Sequence, residues 1–389
     1  MKKVTVGMIG TGFAAALHAE AYQKVYGIEA CVKAAASLAP DAEAFARRYG
    51  ISQVYPDYRR LLEDPEIEVI DIISPPYLHR EMIEEALKSG KHVICEKPLT
   101  GFFCRPGEEY ADGCPRKDMY EAVCGETRQL RQAIRQSGRL FMYAENYIYT
   151  PALQKSLEFI RAQKSRILFL RAEESHKGSH AMHAARWKYN GGGSLIRQGC
   201  HPLSAVLYIK DQESRMRGED IRVTGVMAEV ARTGAGLSPE EHAYIDSHAV
   251  DVEDLANVIV TFSDQTQAVV MAGDMVVGGV RNLVEIYTNE SVYHCNMAAT
   301  DGLRAYHERE KGIEDFYITE KLGCRTGWQN IYLEEELMRG YSGEIQEFME
   351  CVAFGGTPQS DFELAARTIE LTYAAYQSAQ EGRRIALNL

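Results

Sequence analysis

Short apolar runs alternate with stretches of helical periodicity over the first 145 residues of the chain. Residues 3–9, 32–37, 54–55, 69–73, 92–95 and 140–144 read as strands. Helical stretches lie between them, from the first glycine turn to about residue 25, then at 41–49, 58–62, 79–88 and 119–137. Strand and helix at this short spacing predict a parallel, doubly wound sheet. Residues 101–118 break the rhythm with Gly101, Pro106, Gly107, Gly113 and Pro115 and read as an extended loop. Beyond Pro151 the pattern changes. Strand-like runs at 167–172, 221–230, 256–262, 268–272 and 283–287 follow one another without a helix between each pair, and helices at 344–354 and 364–380 close the chain. The predicted class is therefore α/β. An N-terminal Rossmann domain with a doubly wound parallel sheet spans residues 1–146, and a C-terminal α+β domain with a large, mostly antiparallel sheet spans 147–389.

Composition narrows the function. The 389 residues are 46% hydrophobic and 25% charged, the balance of an ordinary globular protein. Lys and Arg number 43 against 55 Asp and Glu, a net charge of −12, which argues against a general nucleic-acid binder. No run reaches about 18 apolar residues, so no membrane span is expected. Met1-Lys2-Lys3 imitates the start of a signal peptide, but Thr5, Gly7, Gly10, Thr11 and Gly12 break the apolar stretch. Nine cysteines without a CxxC pair read as reduced thiols, which places the protein in the cytoplasm.

Three motifs carry chemistry. Gly10-x-Gly12-x-x-Ala15 lies between a strand and a helix, where glycines let backbone approach a pyrophosphate and the helix N-terminus stabilises its charge. The acid that would bind the ribose 2′-OH of NAD is missing, because the second strand ends Ala34-Ala35-Ala36-Ser37. No Arg or Lys follows to hold a 2′-phosphate, so NAD(H) is favoured over NADP(H). Glu96-Lys97-Pro98 closes the fifth strand, at the carboxyl edge where such sheets bind ligands. Gly191-Gly192-Gly193 leads to Arg197 and His201, which share a face if one helix carries both, while Pro202 disfavours helical geometry at His201.

These segments, with Tyr55-Pro56-Asp57-Tyr58, Ser74-Pro75-Pro76-Tyr77-Leu78-His79, Gly90 to Pro98 and Ala374 to Arg383, resemble the glucose-fructose oxidoreductase, inositol dehydrogenase and rhizopine catabolism (Gfo/Idh/MocA) family over almost the whole chain. The resemblance implies hydride transfer between NAD(P) and a sugar, polyol or cyclitol carbinol. It also implies a C-terminal sheet that covers the nicotinamide and often mediates oligomerisation, hence a homo-oligomer: a dimer, a tetramer or larger. It makes Lys97 the catalytic lysine and His201 the histidine that accepts or relays the substrate proton. Gly10, Gly12, Phe13, Ala14, Ser37, Ser74, Pro75, His79, Glu96, Lys97, Pro98 and Asn146 become cofactor-lining positions. One departure stands out: Arg197 occupies the place where the family usually has Asp. A guanidinium is no base. It is expected either to keep His201 neutral by repulsion or to hold a substrate oxygen.

Glu145, Asn146 and Tyr149 follow the sixth strand and are expected at the nicotinamide pocket or in ordinary core. His180, in a segment like those of sugar-active members, is expected to bond sugar hydroxyls. Trp187 offers an apolar wall for a sugar ring, or simple packing under the glycines. The His176, His180 and His183 group lacks paired acids, and Cys104, Cys114 and Cys124 lack a fourth ligand, so no metal is expected. A keto-sugar product is the leading expectation. NAD-dependent glycoside cleavage by transient oxidation and elimination is the alternative, and a non-catalytic sugar sensor a distant third.

Overall fold

The computed structural model describes residues 1–104, 107–111, 113–179, 182–298, 303–307, 326–331 and 335–389. The first half of the chain runs β1 (Lys2–Ile9), α1 (Phe13–Gln23), β2 (Ile28–Ala36), α2 (Ala42–Tyr49), β3 (Gln53–Tyr55), α3 (Arg59–Glu63), β4 (Val69–Ile72), α4 (His79–Lys88), β5 (His92–Glu96), α5 (Arg116–Ser137) and β6 (Phe141–Ala144). All six strands are parallel, in the order β3-β2-β1-β4-β5-β6. The order reverses between β1 and β4, which opens a crevice at the carboxyl ends of those strands. Strand β4 is buried along its whole length, as a strand covered on both faces must be.

The second half runs α6 (Pro151–Gln163), β7 (Ile167–Ser175), α7 (Trp187–Asn190), α8 (Ser194–Arg197), α9 (Cys200–Arg217), β8 (Val223–Ala231), β9 (Leu255–Phe262), β10 (Gln267–Gly273), β11 (Arg281–Thr288), β12 (Val292–Asn296), β13 (Leu303–His307), β14 (Gly327–Ile331), α10 (Glu335–Met338), α11 (Tyr341–Phe354), α12 (Phe362–Glu381) and β15 (Ile385–Ala386). Its large sheet has the order β12-β11-β7-β10-β9-β8-β15. Every neighbouring pair is antiparallel except β7–β10. Strands β9 and β11 alternate buried and accessible residues, so one face is packed and the other open. The packed face lies on α9 and α12.

The two closing helices return to the first sheet. Helix α11 packs beside α1 and on β1, and α12 touches α5 and β6 on one side and α9, β8 and β15 on the other. One continuous apolar core joins both halves. No described helix is long and apolar enough to cross a membrane.

Several boundaries differ from the sequence reading, and those of α5 and β7 have a clear physical reason. Helix α5 begins at Arg116, inside the expected loop, because its polar first turn follows the extended backbone of Pro115 and the apolar periodicity starts only at Met119. Strand β7 continues to Ser175. Glu173 and Glu174 look like surface residues in sequence, yet both are buried in a central strand, where Arg281 and Tyr147 satisfy them.

Candidate functional site

The crevice between β1 and β4 begins with the glycine turn. Gly10 sits at φ 110°, and a Cβ there would lie 2.4 Å from the Ile73 carbonyl oxygen, so only glycine lets β1 turn this close to β4. Gly12 caps α1 without a side-chain bond, and nothing lies within 4 Å of where its Cβ would be. The space beside the N-terminus of α1 is therefore open, which suits a pyrophosphate. Ala15 is fully buried under the turn, Ala14 is partly covered, and Phe13 is 57% exposed at the rim. Ser37, at the end of β2, shares a 2.8 Å hydrogen bond with Thr11 across the crevice. These residues fit a bound dinucleotide.

The second wall is the turn after β5. The Lys97–Pro98 peptide is cis. The buried His79 ring reaches the Pro98 carbonyl and the Ser74 carbonyl, each at 2.9 Å, so it ties the loops after β4 and β5 together. Its place is beneath the surface, and Ser74 and the exposed Pro75 form the rim above it. The Glu96 carboxylate accepts from the Lys97 N–H at 2.9 Å and faces His18 at 3.3 Å. His18, from α1, also donates to Asp71 at 2.9 Å, and the Tyr22 hydroxyl donates to the same carboxylate at 3.0 Å. Burial would lower the His18 imidazole, but Asp71 and Glu96 outweigh it and hold the ring as a cation. Burial would raise Glu96, but His18, then Lys97 and His201, take it below the usual carboxylate range.

The third wall comes from the second half. The Lys97 Nζ donates to the Arg197 carbonyl at 2.8 Å. Burial would lower the Lys97 ammonium, but Cys200, Glu174, Glu96 and Glu145 together hold it above the ordinary lysine value. The His201 Nδ1–H donates to Glu145 Oε1 at 2.6 Å, and Nε2 lies 3.9 Å from Glu174 Oε2. Tyr147 stacks on the imidazole with ring centres 4.4 Å apart and donates to Glu174 at 2.8 Å. His201, Glu145 and Glu174 are all buried.

Arg197 and His201 do not share a helix. Helix α8 ends at Arg197 and α9 begins at Cys200, so Pro202 falls in a first turn, where its missing N–H costs nothing. The Arg197 guanidinium turns to Asp274, which Gln198 also holds, with His176 at 3.7 Å. It neither faces His201 nor waits unpaired for a substrate. Other expected residues separate as well. Asn146 bonds the Arg339 carbonyl at 2.6 Å. Tyr149 donates to Glu347 at 2.5 Å and packs on Phe348. Trp187 is buried, with its ring N–H on the Phe102 carbonyl at 2.8 Å and Arg116 stacked over it, so packing describes it. His180 lies outside the described residues.

Sequence reasoning missed His18, Asp71, Glu174 and Asp274. Asp71 carried a signal, an acid inside an apolar strand run that requires a buried partner. Glu174 and Asp274 carried none, because each lies just beyond an apolar run rather than inside one.

Residues 4–108 match the N-terminal model of the Gfo/Idh/MocA oxidoreductases, described as an NAD-binding Rossmann fold. Residues 161–387 match that family's C-terminal alpha/beta domain. The chain is 34% identical to levoglucosan dehydrogenase of Pseudarthrobacter phenanthrenivorans over 170 residues, 41% of this chain and 37% of that protein. It is 23% identical to D-xylose 1-dehydrogenase (NADP(+)) 2 of Haloferax volcanii, over 89% of both chains. The crystal structure of GenD2 from gentamicin A biosynthesis in complex with NAD superposes with a TM-score of 0.80 at 20% identity, covering 100% of this chain and 97% of that one. With both halves matched and the crevice built as the fold requires, this chain belongs to the Gfo/Idh/MocA family of NAD-binding oxidoreductases.

Proposed function

We propose that the protein oxidises a carbinol of a sugar, glycoside or cyclitol to a keto product, with Lys97 and His201 as its acid–base pair. Residues 1–146 serve as the dinucleotide unit and 147–389 as the substrate and oligomer unit. The observation that carries this reading is the 2.6 Å bond from His201 Nδ1 to buried Glu145. That bond commits the Nδ1 proton, leaving the Nε2 lone pair to take a proton from substrate. Tyr147 fixes the ring plane, and Glu174 stabilises the imidazolium from the other side. Glu145 thus supplies the carboxylate that Arg197 does not. Lys97, whose Nζ rests on the Arg197 carbonyl, is the charged donor that polarises the hydroxyl oxygen. Bound NAD supplies the hydride acceptor, and its positive ring opposes the carboxylates that hold the Lys97 pKa up.

The absence of a cation in Ser37-Leu38-Ala39-Pro40 favours NAD(H) over NADP(H), and kcat/KM with each reads the ratio. Met227, Ile259 and Val269 lie side by side across β8, β9 and β10 on the open face of the sheet, which favours a homo-oligomer. The eight described cysteines are free, consistent with a cytoplasmic place.

The test is mass spectrometry of sugars and glycosides incubated with the protein and NAD. A product two mass units lighter, formed with stoichiometric NADH, is expected, together with a loss of at least about 100-fold in turnover for Lys97→Ala. Wild-type turnover in that variant removes the lysine role. Release of an aglycone without net NADH replaces dehydrogenation by the oxidation–elimination cycle.

A further inference from the structure

We propose that Glu145, Cys200 and His201 form a binding site for a thiophilic divalent cation of the zinc class, and that filling it arrests turnover by withdrawing His201 from proton transfer. One ligand atom from each of the three residues lies within 4.8 Å of the others. Zinc bonds nitrogen and oxygen at about 2.0–2.2 Å and sulfur at about 2.3 Å, so its ligand atoms stand roughly 3.5 Å apart. Shifts on the order of 1 Å bring this trio to that spacing. The chemistry of the set is selective, because thiolate and imidazole favour zinc or cobalt over magnesium or calcium.

Three further observations point to a ligand. All three residues are buried, at 0%, 1% and 2% exposure, so their ligand atoms are shielded from competing bulk water. The second oxygen of Glu145, Oε2, has no hydrogen-bond partner although it is fully buried. The Cys200 thiol makes only a long 3.5 Å contact to the Arg197 carbonyl, which a metal bond would readily replace. Charge agrees. Glu96, Glu145, Glu174 and Asp71 outnumber the two cations among them, the Lys97 ammonium and the His18 imidazolium, so a divalent cation enters a region of negative excess. Binding would deprotonate Cys200, and the released proton would go to solvent. Sequence spacing hides the trio, because Glu145 comes from the end of the first sheet and the other two from the start of α9.

Arrest of turnover rests on the reading of His201 as the proton acceptor; cation binding does not. The test therefore reads the two apart. Chelator-treated full-length protein is titrated with cobalt(II). The wild type is expected to develop tetrahedral d–d bands and a thiolate-to-cobalt charge-transfer band, and zinc is expected to displace both. Cys200→Ser, checked for unchanged NADH binding and circular dichroism, should lose these bands. Relative to the variant's own metal-free turnover, whatever its level, the zinc concentration that halves activity should rise at least tenfold. Absent bands, or bands of equal strength in the variant, overturn the site. Bands that depend on Cys200 in a protein whose turnover zinc leaves unchanged overturn the arrest and the His201 relay together, while the cation site stands.

Discussion

Two glycine-rich segments frame the crevice, and they use glycine in opposite ways. At Gly12 a side chain would meet nothing within 4 Å, so the backbone is bared to whatever enters from outside. At Gly193 a Cβ would sit 1.9 Å from the Glu253 carbonyl oxygen, so the backbone is pressed against the protein's own chain. There the Glu253 carboxylate accepts from the Gly193 and Leu195 N–H groups, at 3.1 and 2.8 Å, and from the Tyr376 hydroxyl at 2.7 Å. It caps α8 from a neighbouring segment and so fixes the carbonyl on which Lys97 rests. Glycine in the first segment leaves room for a ligand; in the second it serves the framework that holds Lys97.

Substitution separates the two uses. Gly193→Ala forces the backbone off Glu253 and should cost about 3 kcal/mol, near the upper end of overpacking penalties. A thermal melt should fall by about 4 °C. An unchanged melt would break the contrast. Gly12→Ala should leave the melt within about 2 °C but weaken NADH binding roughly tenfold or more, about 1.4 kcal/mol, read by fluorescence titration. A large loss of stability there would make both segments framework.

The smallest effect concerns what lies beneath the first segment. Glu344, on α11, is fully buried, with neither carboxylate oxygen partnered. Burial, with Glu96, Glu145 and Asp71 nearby, pushes its carboxyl well above the usual range, against the pull of His18. The folded chain thus keeps a proton that the unfolded chain releases above the ordinary carboxylate pKa. Stability falls as pH rises through that window, and a neutral amide removes the loss. Glu344→Gln should melt close to wild type near pH 4 and about 1–2 °C higher at pH 8. A gap independent of pH would show that Glu344 is ionised in the fold.

The same contrast explains what the sequence could disclose. The glycine turn, β1 to β6 and the Glu96-Lys97-Pro98 turn are legible because each rests on neighbours a few residues away. The ends of β7 and the start of α5 are not, since Glu174 and Arg116 look like surface residues until distant chain covers them. Arg197 and His201 show the limit most clearly. Their four-residue spacing suggested one shared face, yet Asp274 draws one side chain and Glu145 the other, from elements that local periodicity cannot reach. The Arg197 departure was visible; the carboxylate that bonds His201, from 56 residues earlier, was visible only as a residue after a strand.

Helix α12 touches both sheets, and this sets a timetable for the growing chain. The first sheet is complete once β6 emerges, but α11 and α12, which cover β1 and β6, are made only after most of the second half. At about 5–20 residues per second, its apolar back waits on the order of ten seconds to most of a minute for its cover. During synthesis the Rossmann half is thus a client for holding chaperones, and a ribosome stalled within the second sheet would release a sticky intermediate rather than a free nucleotide-binding domain.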